Sequence, residues 1–247
     1  MILAAGLGTR LRPLTNDRPK ALVTVEGRTL LEIALARLRS VGVREVIVNT
    51  HHYAEMMLEY LKANEDFGMR IEISQERELL DTGGGLKKAA WFFLEAESGS
   101  QEPFILHNVD VISTIDLNRM IRTHRDSGAL ATLAVQNRET SRYLLFGEEG
   151  ELCGRRAGRG GTPELVRPAA TVEALAFCGI HVLSPRLFAK MDEEGAFSII
   201  SAYLRLASAG EKILAFRADE YYWRDLGKPM NVQQAAADVR GGIYHAE

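Results

Sequence analysis

Short apolar segments alternate with longer amphipathic ones along the whole chain, and this alternation is the feature that most constrains the fold. Thr29 to Glu32 (TLLE) forms a capping box, in which the Thr and Glu side chains satisfy amides at the start of a helix. Apolar residues follow at helical spacing, and Gly42 ends the helix. Residues 43–49 (VREVIVN) then predict a buried strand. Strands that alternate with helices predict a mostly parallel sheet with helices on both of its faces.

The same patterns place the other elements. The expected strands are 1–5, 69–73, Phe104–Asn108, 129–136, Arg142–Phe146, 171–183, 212–217 and 222–225. The expected helices are 53–63, 85–97, Leu117–Ser127, 199–209 and one that begins at Pro229. Residues 154–168 (GRRAGRGGTPELVRP) hold four glycines, two prolines and four arginines, so we expect a mobile excursion there rather than a strand or helix. No linker divides the chain, so we expect a single α/β domain over residues 1–247.

The charge and composition of the chain exclude several classes of protein. The 30 Lys and Arg residues are balanced by 33 Asp and Glu residues, so no basic excess indicates a nucleic-acid partner or an anionic membrane. Nearly apolar stretches such as 129–135 are far shorter than the about 20 residues of a membrane helix. Residues 1–6 are apolar but follow no basic segment, so no signal peptide is expected. The two cysteines, Cys153 and Cys178, indicate small buried side chains in a reduced, cytoplasmic protein.

A glycine turn with nearby cations follows the first expected strand. Gly6 and Gly8 allow the backbone to approach phosphate oxygens closely. Arg10 offers a planar fork for two such oxygens, and Lys20 offers a point charge for another. A dinucleotide-binding fingerprint is excluded, because the third glycine and the acidic residue at a strand end are both missing. The turn therefore predicts a phosphate-binding loop of another kind.

The glycine turn belongs to a longer run, GxGTRLxPLTxxxPKxL, that ends at Leu22. Two later motifs each contain an Asp: LHNVDV at residues 106–111, at the end of a strand, and WRDLG at residues 223–227. Together they resemble the sugar-1-phosphate nucleotidyltransferases, which make an NDP-sugar and pyrophosphate from an NTP and a sugar 1-phosphate. The resemblance covers nearly the whole chain, and the sequence looks most like N-acetylmuramate-1-phosphate uridylyltransferases and mannose-1-phosphate guanylyltransferases.

The resemblance implies roles for individual residues. It makes Arg10, Lys20 and Asp110 catalytic and makes Asp110 and Asp225 the ligands of Mg²⁺. Two Asp residues suit Mg²⁺, which keeps water and phosphate oxygens as its other ligands. The stretches LDTGGGL (80–86) and FCGI (177–180) are similar to segments that line the nucleoside and the sugar. The implied nucleotide-binding residues are Leu3, Ala4, Ala5, Gly6, Gly8, Thr9, Gln75, Thr82, Gly83, Gly84 and Asn108, and the implied sugar-phosphate-binding residues are Arg156 and Gly179.

The sequence departs from the family pattern at Val109, because the family usually has Gly immediately before the first metal-binding Asp. If this position needs a positive φ, Val is strained there. If it only lies near the ribose, Val narrows the pocket. Relatives also often carry a few more residues before the first strand than this chain does.

We therefore expect an α/β fold, a single doubly wound, mostly parallel, Rossmann-like sheet with a smaller sugar-binding lobe. Residues 1–140 form the nucleotide-binding half and residues 141–247 the sugar-phosphate-binding half. The expected reaction is Mg²⁺-dependent, in-line attack of a sugar 1-phosphate on the α-phosphate of UTP or GTP. The alternatives are a cytidylyltransferase for a non-sugar acceptor such as phosphocholine and a non-catalytic nucleotide sensor. The sequence does not decide the base, the sugar or the oligomeric state.

Overall fold

Strands and helices alternate in the computed structural model, which describes residues 1–94 and 102–245. The strands are β1 (Ile2–Leu3), β2 (Thr24–Val25), β3 (Arg28–Thr29), β4 (Glu45–Thr50), β5 (Arg70–Gln75), β6 (Phe104–Asn108), β7 (Val111–Ser113), β8 (Ala131–Gln136), β9 (Arg142–Phe146), β10 (Leu152–Ala157), β11 (Glu164–Leu165), β12 (Glu173–Leu183), β13 (Ile213–Arg217) and β14 (Trp223–Asp225). The helices are α1 (Leu30–Ser40), α2 (Ala54–Ala63), α3 (Asp81–Lys88), α4 (Ala90–Leu94), α5 (Leu117–Ser127), α6 (Ile199–Ser208) and α7 (Pro229–Arg240).

The chain divides into two units that do not follow the expected halves. Unit 1 comprises Met1–Asp81, His107–Ile115 and Tyr222–Glu247, and unit 2 comprises Thr82–Leu106 and Asp116–Tyr221. The division expected at residue 140 therefore falls inside unit 2, and the last helix belongs to the unit that holds the first strand. No helix of the described residues is long and apolar enough to cross a membrane.

Unit 1 contains the parallel sheet that the alternation predicts. β1 pairs in parallel with both β4 and β6, and β4 pairs in parallel with β5. In this register Leu3 lies opposite Asn49 and Asn108, so β1, β4 and β6 end at the same edge of the sheet. The capping box is also confirmed, because the Thr29 hydroxyl accepts a hydrogen bond from the Glu32 amide at 3.1 Å.

Unit 2 adds strands that pair mostly in the antiparallel direction. β12 pairs antiparallel with β8 and β9, β9 pairs antiparallel with β10, and β10 pairs antiparallel with β11. β8 also pairs in parallel with β13. Strands joined by short turns can pair only in this antiparallel way, whereas parallel pairs need a long crossover. The predicted α/β class is confirmed, with its parallel strands concentrated in unit 1.

The expectation that residues 154–168 contain no strand is wrong, because this segment contains the end of β10 and all of β11. A Cβ on Gly154 would lie 2.2 Å from the carbonyl oxygen of Glu164, and one on Gly161 would lie 1.9 Å from that of Ala157. The glycines therefore let two backbone segments approach each other closely, which is a different use of glycine from chain mobility.

The helix expected at residues 85–97 begins earlier and is interrupted. α3 starts at Asp81, and α4 follows after a break at Ala89 and includes Leu94, the last described residue before the gap. Residues 95–97 lie outside the described residues. The glycines at 83–85 are buried within α3, where small residues allow close packing.

A buried histidine lies between α5 and β8 in unit 2. His124 is almost fully buried, and its Nδ1 lies 2.9 Å from the Thr132 hydroxyl. Burial, and to a smaller extent the positive charges of Arg186 and Arg125, lowers the pKa of His124 from 6.5 to about 4. The imidazole is therefore neutral in the folded protein at neutral pH.

We predict that His124 makes the free energy of unfolding fall as the pH is lowered from about 6.5 to about 4. In this range the unfolded chain binds a proton that the folded chain does not, so acid favours unfolding. His124→Gln removes this titration, so its free energy of unfolding depends less steeply on pH than that of the wild type.

Urea unfolding at pH 7 and pH 5 measures this difference, with the exposed His245→Gln as the control. A pH dependence that is the same in the wild type and in His124→Gln would contradict the assignment.

Candidate functional site

The loop that follows β1 has the features of an anion-binding loop. The amides of residues 5–8 donate no hydrogen bond to any residue that the structure describes, and Gly6 and Leu7 are exposed. Gly8 has a left-handed backbone conformation with a φ of 63°. Its carbonyl oxygen accepts a hydrogen bond from the Thr15 hydroxyl at 2.9 Å, which fixes this end of the loop. Consecutive exposed amides with no partner in the protein can bind the oxygens of a phosphate group.

Gly6 and Gly8 are glycines for different reasons. Gly8 has a positive φ, and a Cβ there would lie 3.0 Å from Cγ2 of Thr15 and 3.3 Å from Cβ of Lys20. Gly6 has no positive φ, and a Cβ there would meet no atom within 4 Å. The protein itself therefore does not require glycine at position 6, and a glycine there allows a ligand to approach the backbone closely.

Lys20 and Asp110 form an ion pair beside this loop. Lys20 begins a short 3₁₀ turn, Lys20–Leu22, that follows Pro19. Asp110 lies between β6 and β7, in the short connection at the end of the parallel sheet. Only 14% of the Lys20 side chain and 10% of the Asp110 side chain are exposed. Each charge is thus largely removed from water and depends on the other for compensation.

Strand pairing brings the second aspartate next to the first. β14 runs antiparallel to β7, so that Asp225 lies opposite Val111. The amide of Leu226 donates a hydrogen bond to the carbonyl oxygen of Asp110 at 2.7 Å. The two aspartates, far apart in the sequence, therefore lie on adjacent positions of paired segments.

Gly227 connects Asp225 to Arg10. The Gly227 amide donates a hydrogen bond to Oδ1 of Asp225 at 2.8 Å. A Cβ on Gly227 would lie 2.7 Å from this oxygen and 3.0 Å from Nη2 of Arg10. The absence of a side chain at position 227 therefore lets the carboxylate and the guanidinium both lie against the backbone.

These residues fit a magnesium ion. In the part of the chain that the structure describes, no group of three or more His, Cys, Asp or Glu side chains forms a metal-binding cluster. The oxygen donors available are the carboxylates of Asp110 and Asp225. Mg²⁺ is commonly bound by one or two carboxylates together with water and substrate phosphates, whereas Ca²⁺ and Zn²⁺ use larger protein ligand sets.

Other predicted nucleotide-binding residues lie at the carboxyl edge of the sheet in unit 1. Leu3 ends β1 opposite Asn108, and Ala4 and Ala5 are buried directly after it. Gln75 is exposed at the end of β5 and, with His51, Tyr53 and neighbouring residues of α2, lines a cavity of about 430 Å³. Thr9 is exposed at the start of a 3₁₀ turn.

Val109 is not strained. It has no positive φ, it is buried, and its amide donates a hydrogen bond to the carbonyl oxygen of Leu3 at 3.1 Å. Valine in place of the family's usual glycine is therefore compatible with this backbone, and the position of Asp110 does not depend on glycine conformational freedom.

The Thr82–Gly84 segment is anchored within unit 2. The amides of Gly83 and Gly84 donate to the carbonyl oxygen of Phe197 at 2.9 and 3.3 Å, and the Thr82 hydroxyl accepts a hydrogen bond from the Ile199 amide at 3.0 Å. A Cβ on Gly83 would lie 2.3 Å from the Phe197 ring. These glycines allow close packing on Phe197, and their two amides already have an acceptor.

The predicted sugar-phosphate residues also lie in unit 2. Arg156 donates a hydrogen bond to the carbonyl oxygen of Gly158 at 3.1 Å, and its guanidinium lies 5.3 Å from the centre of the Tyr143 ring. Arg155, by contrast, pairs with Glu164 at 2.7 Å. Gly179 has a φ of 73° where the register of β12 against β8 shifts. This backbone conformation favours glycine and marks a bulge.

Two buried polar residues at the edge of unit 1, Asn49 and Glu76, were not predicted from the sequence. Asn49 accepts a hydrogen bond from the Ala4 amide, and its side chain donates to the Glu76 carboxylate, both at 2.7 Å. The available signal was the polar Asn that ends the apolar run VIVN, at the same edge as the glycine loop.

Curated proteins of known activity are similar to this chain over most of its length. Residues 1–241 match the family model described as "Nucleotidyl transferase". The N-acetylmuramate alpha-1-phosphate uridylyltransferase of Caulobacter vibrioides is 34% identical over 251 residues, which cover 97% of this chain and 95% of that protein. The mannose-1-phosphate guanylyltransferase 1 of Arabidopsis thaliana is 33% identical over 235 residues, which cover 93% of this chain but only 61% of that longer protein.

Solved structures share the fold. HddC from Yersinia pseudotuberculosis, complexed with GMP-PN, aligns with a TM-score of 0.74 and 23% identity over 96% of this chain and 97% of that one. A UDP-glucose pyrophosphorylase complexed with UDP-glucose aligns with a TM-score of 0.77 and 17% identity over 98% and 97% of the two chains. These likenesses confirm the predicted Rossmann-like α/β fold.

We predict that Gly227→Ala lowers turnover by about 100-fold, because its Cβ displaces both the Asp225 carboxylate and the Arg10 guanidinium. The backbone at position 227 has no positive φ, so the substitution leaves the fold intact. The control is Gly160→Ala, whose Cβ meets no atom within 4 Å. Steady-state kinetics with circular dichroism as the check on folding measures the effect, and unchanged turnover in Gly227→Ala would show that this contact has no catalytic role.

Proposed function

Since the chain belongs to the nucleotidyl transferase family, we propose that it transfers a nucleotidyl group from UTP or GTP to a sugar 1-phosphate and releases pyrophosphate. Sugar-1-phosphate nucleotidyltransferase activity is shared by the uridylyl- and guanylyltransferases to which it is similar. The alignment with the Caulobacter enzyme covers nearly all of both chains, which favours N-acetylmuramate α-1-phosphate with UTP as the first pair to test. Cys153 and Cys178 are buried and form no disulfide, which is consistent with a cytoplasmic location.

The observation that carries this proposal is the cluster of Arg10, Lys20, Asp110 and Asp225 beside a loop with unpaired amides. Cations and amides are the groups that bind a triphosphate, and carboxylates are the groups that bind its magnesium ion. A nucleotide sensor needs the same groups, but the enzymatic relatives and the two aspartates that strand pairing brings to neighbouring positions favour catalysis.

The reaction needs no general base from the protein. The second pKa of a phosphate monoester is near 6, so an oxygen of the sugar phosphate is already ionised at pH 7. This oxygen attacks the α-phosphorus of the NTP, the new P–O bond forms, and the bond to the bridging oxygen of the β-phosphate breaks. The electron pair leaves with pyrophosphate. Catalysis then consists of positioning and charge compensation.

The residues of unit 1 supply this compensation. Arg10 and the amides around Gly6 and Gly8 hold the triphosphate and the departing pyrophosphate. Asp110 and Asp225 would hold Mg²⁺, which when bound neutralises charge on the α-phosphate. Lys20, which pairs with Asp110 in the structure, then becomes available to bind phosphate oxygens of the donor and the acceptor.

The remaining predicted residues have roles in binding. Arg156 and Gly179 contribute to binding of the sugar phosphate. Arg156 is a better candidate for this role than Arg155, because Glu164 already neutralises Arg155. Binding of the nucleoside involves backbone and side-chain groups of Leu3, Ala4, Ala5, Thr9, Gln75, Thr82, Gly83, Gly84 and Asn108.

A matrix of the four NTPs against several sugar 1-phosphates, read as pyrophosphate release with Mg²⁺, tests the proposal. Release with UTP or GTP and at least one sugar 1-phosphate is the expected result. Phosphocholine with CTP is included as the non-sugar pair. Release only with that pair, or nucleotide binding without release with any pair, would overturn the proposal in favour of one of the two alternatives.

We predict that Asp110→Asn and Asp225→Asn each lower kcat by about 100-fold or more at saturating Mg²⁺, because a carboxylate that binds the metal is worth several kcal/mol in the transition state. The amide oxygen introduced at position 225 still accepts the hydrogen bond of Gly227, so this loop remains in place. The matched control is Asp17→Asn, which removes a carboxylate whose side chain is 70% exposed. Near-normal kcat in either variant would remove that aspartate from the metal site.

We predict that Gly6→Ala raises the Kd for NTP at least about tenfold and leaves the stability of the protein unchanged. The protein has space for this methyl group, so only a ligand that approaches within van der Waals distance is displaced by it. Gly160→Ala is again the control. Calorimetric titration with UTP and GTP measures the Kd, and an equal Kd in the wild type and Gly6→Ala would contradict phosphate binding at this loop.

A further inference from the structure

Asn49 makes two hydrogen bonds that fix the orientation of its side-chain amide. The backbone amide of Ala4 can only donate, so the Asn49 oxygen faces it at 2.7 Å. The Asn49 nitrogen therefore faces Oε1 of Glu76, which accepts its hydrogen bond at 2.7 Å. Asn49 is 3% exposed and Glu76 is 2% exposed. Water cannot replace either contact without opening the sheet edge.

The second oxygen of Glu76 holds the segment that follows β5. Oε2 accepts a hydrogen bond from the Leu80 amide at 3.0 Å. The Glu76 backbone is fixed as well, because its amide donates to the carbonyl oxygen of Thr50 at 2.7 Å. Its carbonyl oxygen lies 3.0 Å from Nδ1 of His51. The carboxylate thus connects the end of β4 to the chain that leads into α3.

Glu76 is a buried acid without a cationic partner. None of the ion pairs among the described residues includes Glu76, and the groups that contact its carboxylate are a neutral side-chain amide and a backbone amide. An apolar pair would fill this space without the cost of removing a carboxylate from water. A buried acid held by two neutral donors therefore points to a task that needs definite positions of the groups it holds.

We propose that Asn49 and Glu76 are positioning residues that hold the nucleoside-binding backbone, Ala4 on one side and residues 75–80 on the other. This inference rests on the proposed function, which assigns Ala4 and Gln75 to the nucleoside. Ala4 leads directly into the loop of Gly6 and Gly8, and Gln75 immediately precedes Glu76. One chain of hydrogen bonds, from Ala4 through Asn49 and Glu76 to Leu80, thus sets the spacing of the two segments that accept the nucleotide.

The amide and the carboxylate at positions 49 and 76 can be exchanged by substitutions that keep the shapes of the two side chains. Asn49→Asp places a second carboxylate oxygen against the Glu76 carboxylate, and the two repel each other. Glu76→Gln leaves one acceptor for two donors, so one of the two hydrogen bonds is lost. In the double variant Asn49→Asp/Glu76→Gln, the new amide nitrogen donates to the new carboxylate. The Ala4 and Leu80 amides then both keep an oxygen acceptor.

We expect each single variant to raise the KM and the Kd for the NTP at least about tenfold, because a buried polar group loses its partner. The KM for the sugar 1-phosphate stays within about twofold, and the double variant recovers the wild-type values to within about threefold. The control for a buried polar substitution away from the nucleotide-binding segments is His124→Gln in unit 2, for which we expect an unchanged KM for the NTP.

Several results would overturn the inference. These are single variants with unchanged affinity for UTP and GTP, an equal rise in both KM values, or a double variant that folds but binds NTP as weakly as the single ones. If a single variant does not fold, the comparison of the double variant with the wild type carries the test, with equal Kd values expected. A wild type that binds NTP but releases no pyrophosphate with any acceptor contradicts the proposed function and leaves this inference to be decided by the Kd values.

Discussion

The ion pair between Lys20 and Asp110 is the interaction on which the site depends. Both side chains are largely buried, so each charge needs a partner or the cost of removing it from water is not recovered. A group that replaces one partner must therefore bring its own compensating charge. A magnesium nucleotide would do this in one step, because the metal would compensate the carboxylate and the phosphates would compensate the ammonium group. We therefore propose that the pair makes the site selective for a ligand that carries both charges.

The parallel sheet of unit 1 brings these charges together. Because Leu3 lies opposite Asn108, the glycine loop and Asp110 follow adjacent strands at the same edge. The pairing of β14 with β7 then adds Asp225 from the far end of the sequence. Ligands of open α/β sheets bind at this carboxyl edge, where the chain leaves the strands and side chains are free to face a ligand.

Much of this arrangement could be predicted from the sequence, because local patterns determine it. The capping box at Thr29 and the apolar run before Asn49 each specify an element without reference to the rest of the chain. The phosphate-binding loop was predicted from its own glycines and cations, and the roles of the two Asp motifs were predicted by resemblance. The structure brings Arg10, Lys20, Asp110 and Asp225 together in unit 1.

What could not be predicted depends on contacts between distant segments. Residues 154–168 have the composition of a mobile loop, but Gly154 is there because the backbone of Glu164 passes 2.2 Å from the position of its missing Cβ. The hydrogen bond between the Asn49 and Glu76 side chains depends on the register of β4 against β5, which the sequence pattern does not specify. The amides of Gly83 and Gly84 likewise have a partner, Phe197, that no local motif indicates.

We propose that Lys20 exchanges Asp110 for phosphate when the nucleotide binds. A crystal structure of the protein with Mg²⁺ and a non-hydrolysable UTP or GTP analogue tests it most directly. We predict that Lys20 Nζ lies within about 3 Å of a phosphate oxygen and no longer contacts Asp110, whose carboxylate is bound to the metal. A triphosphate bound elsewhere, with the Lys20–Asp110 pair intact, would contradict it.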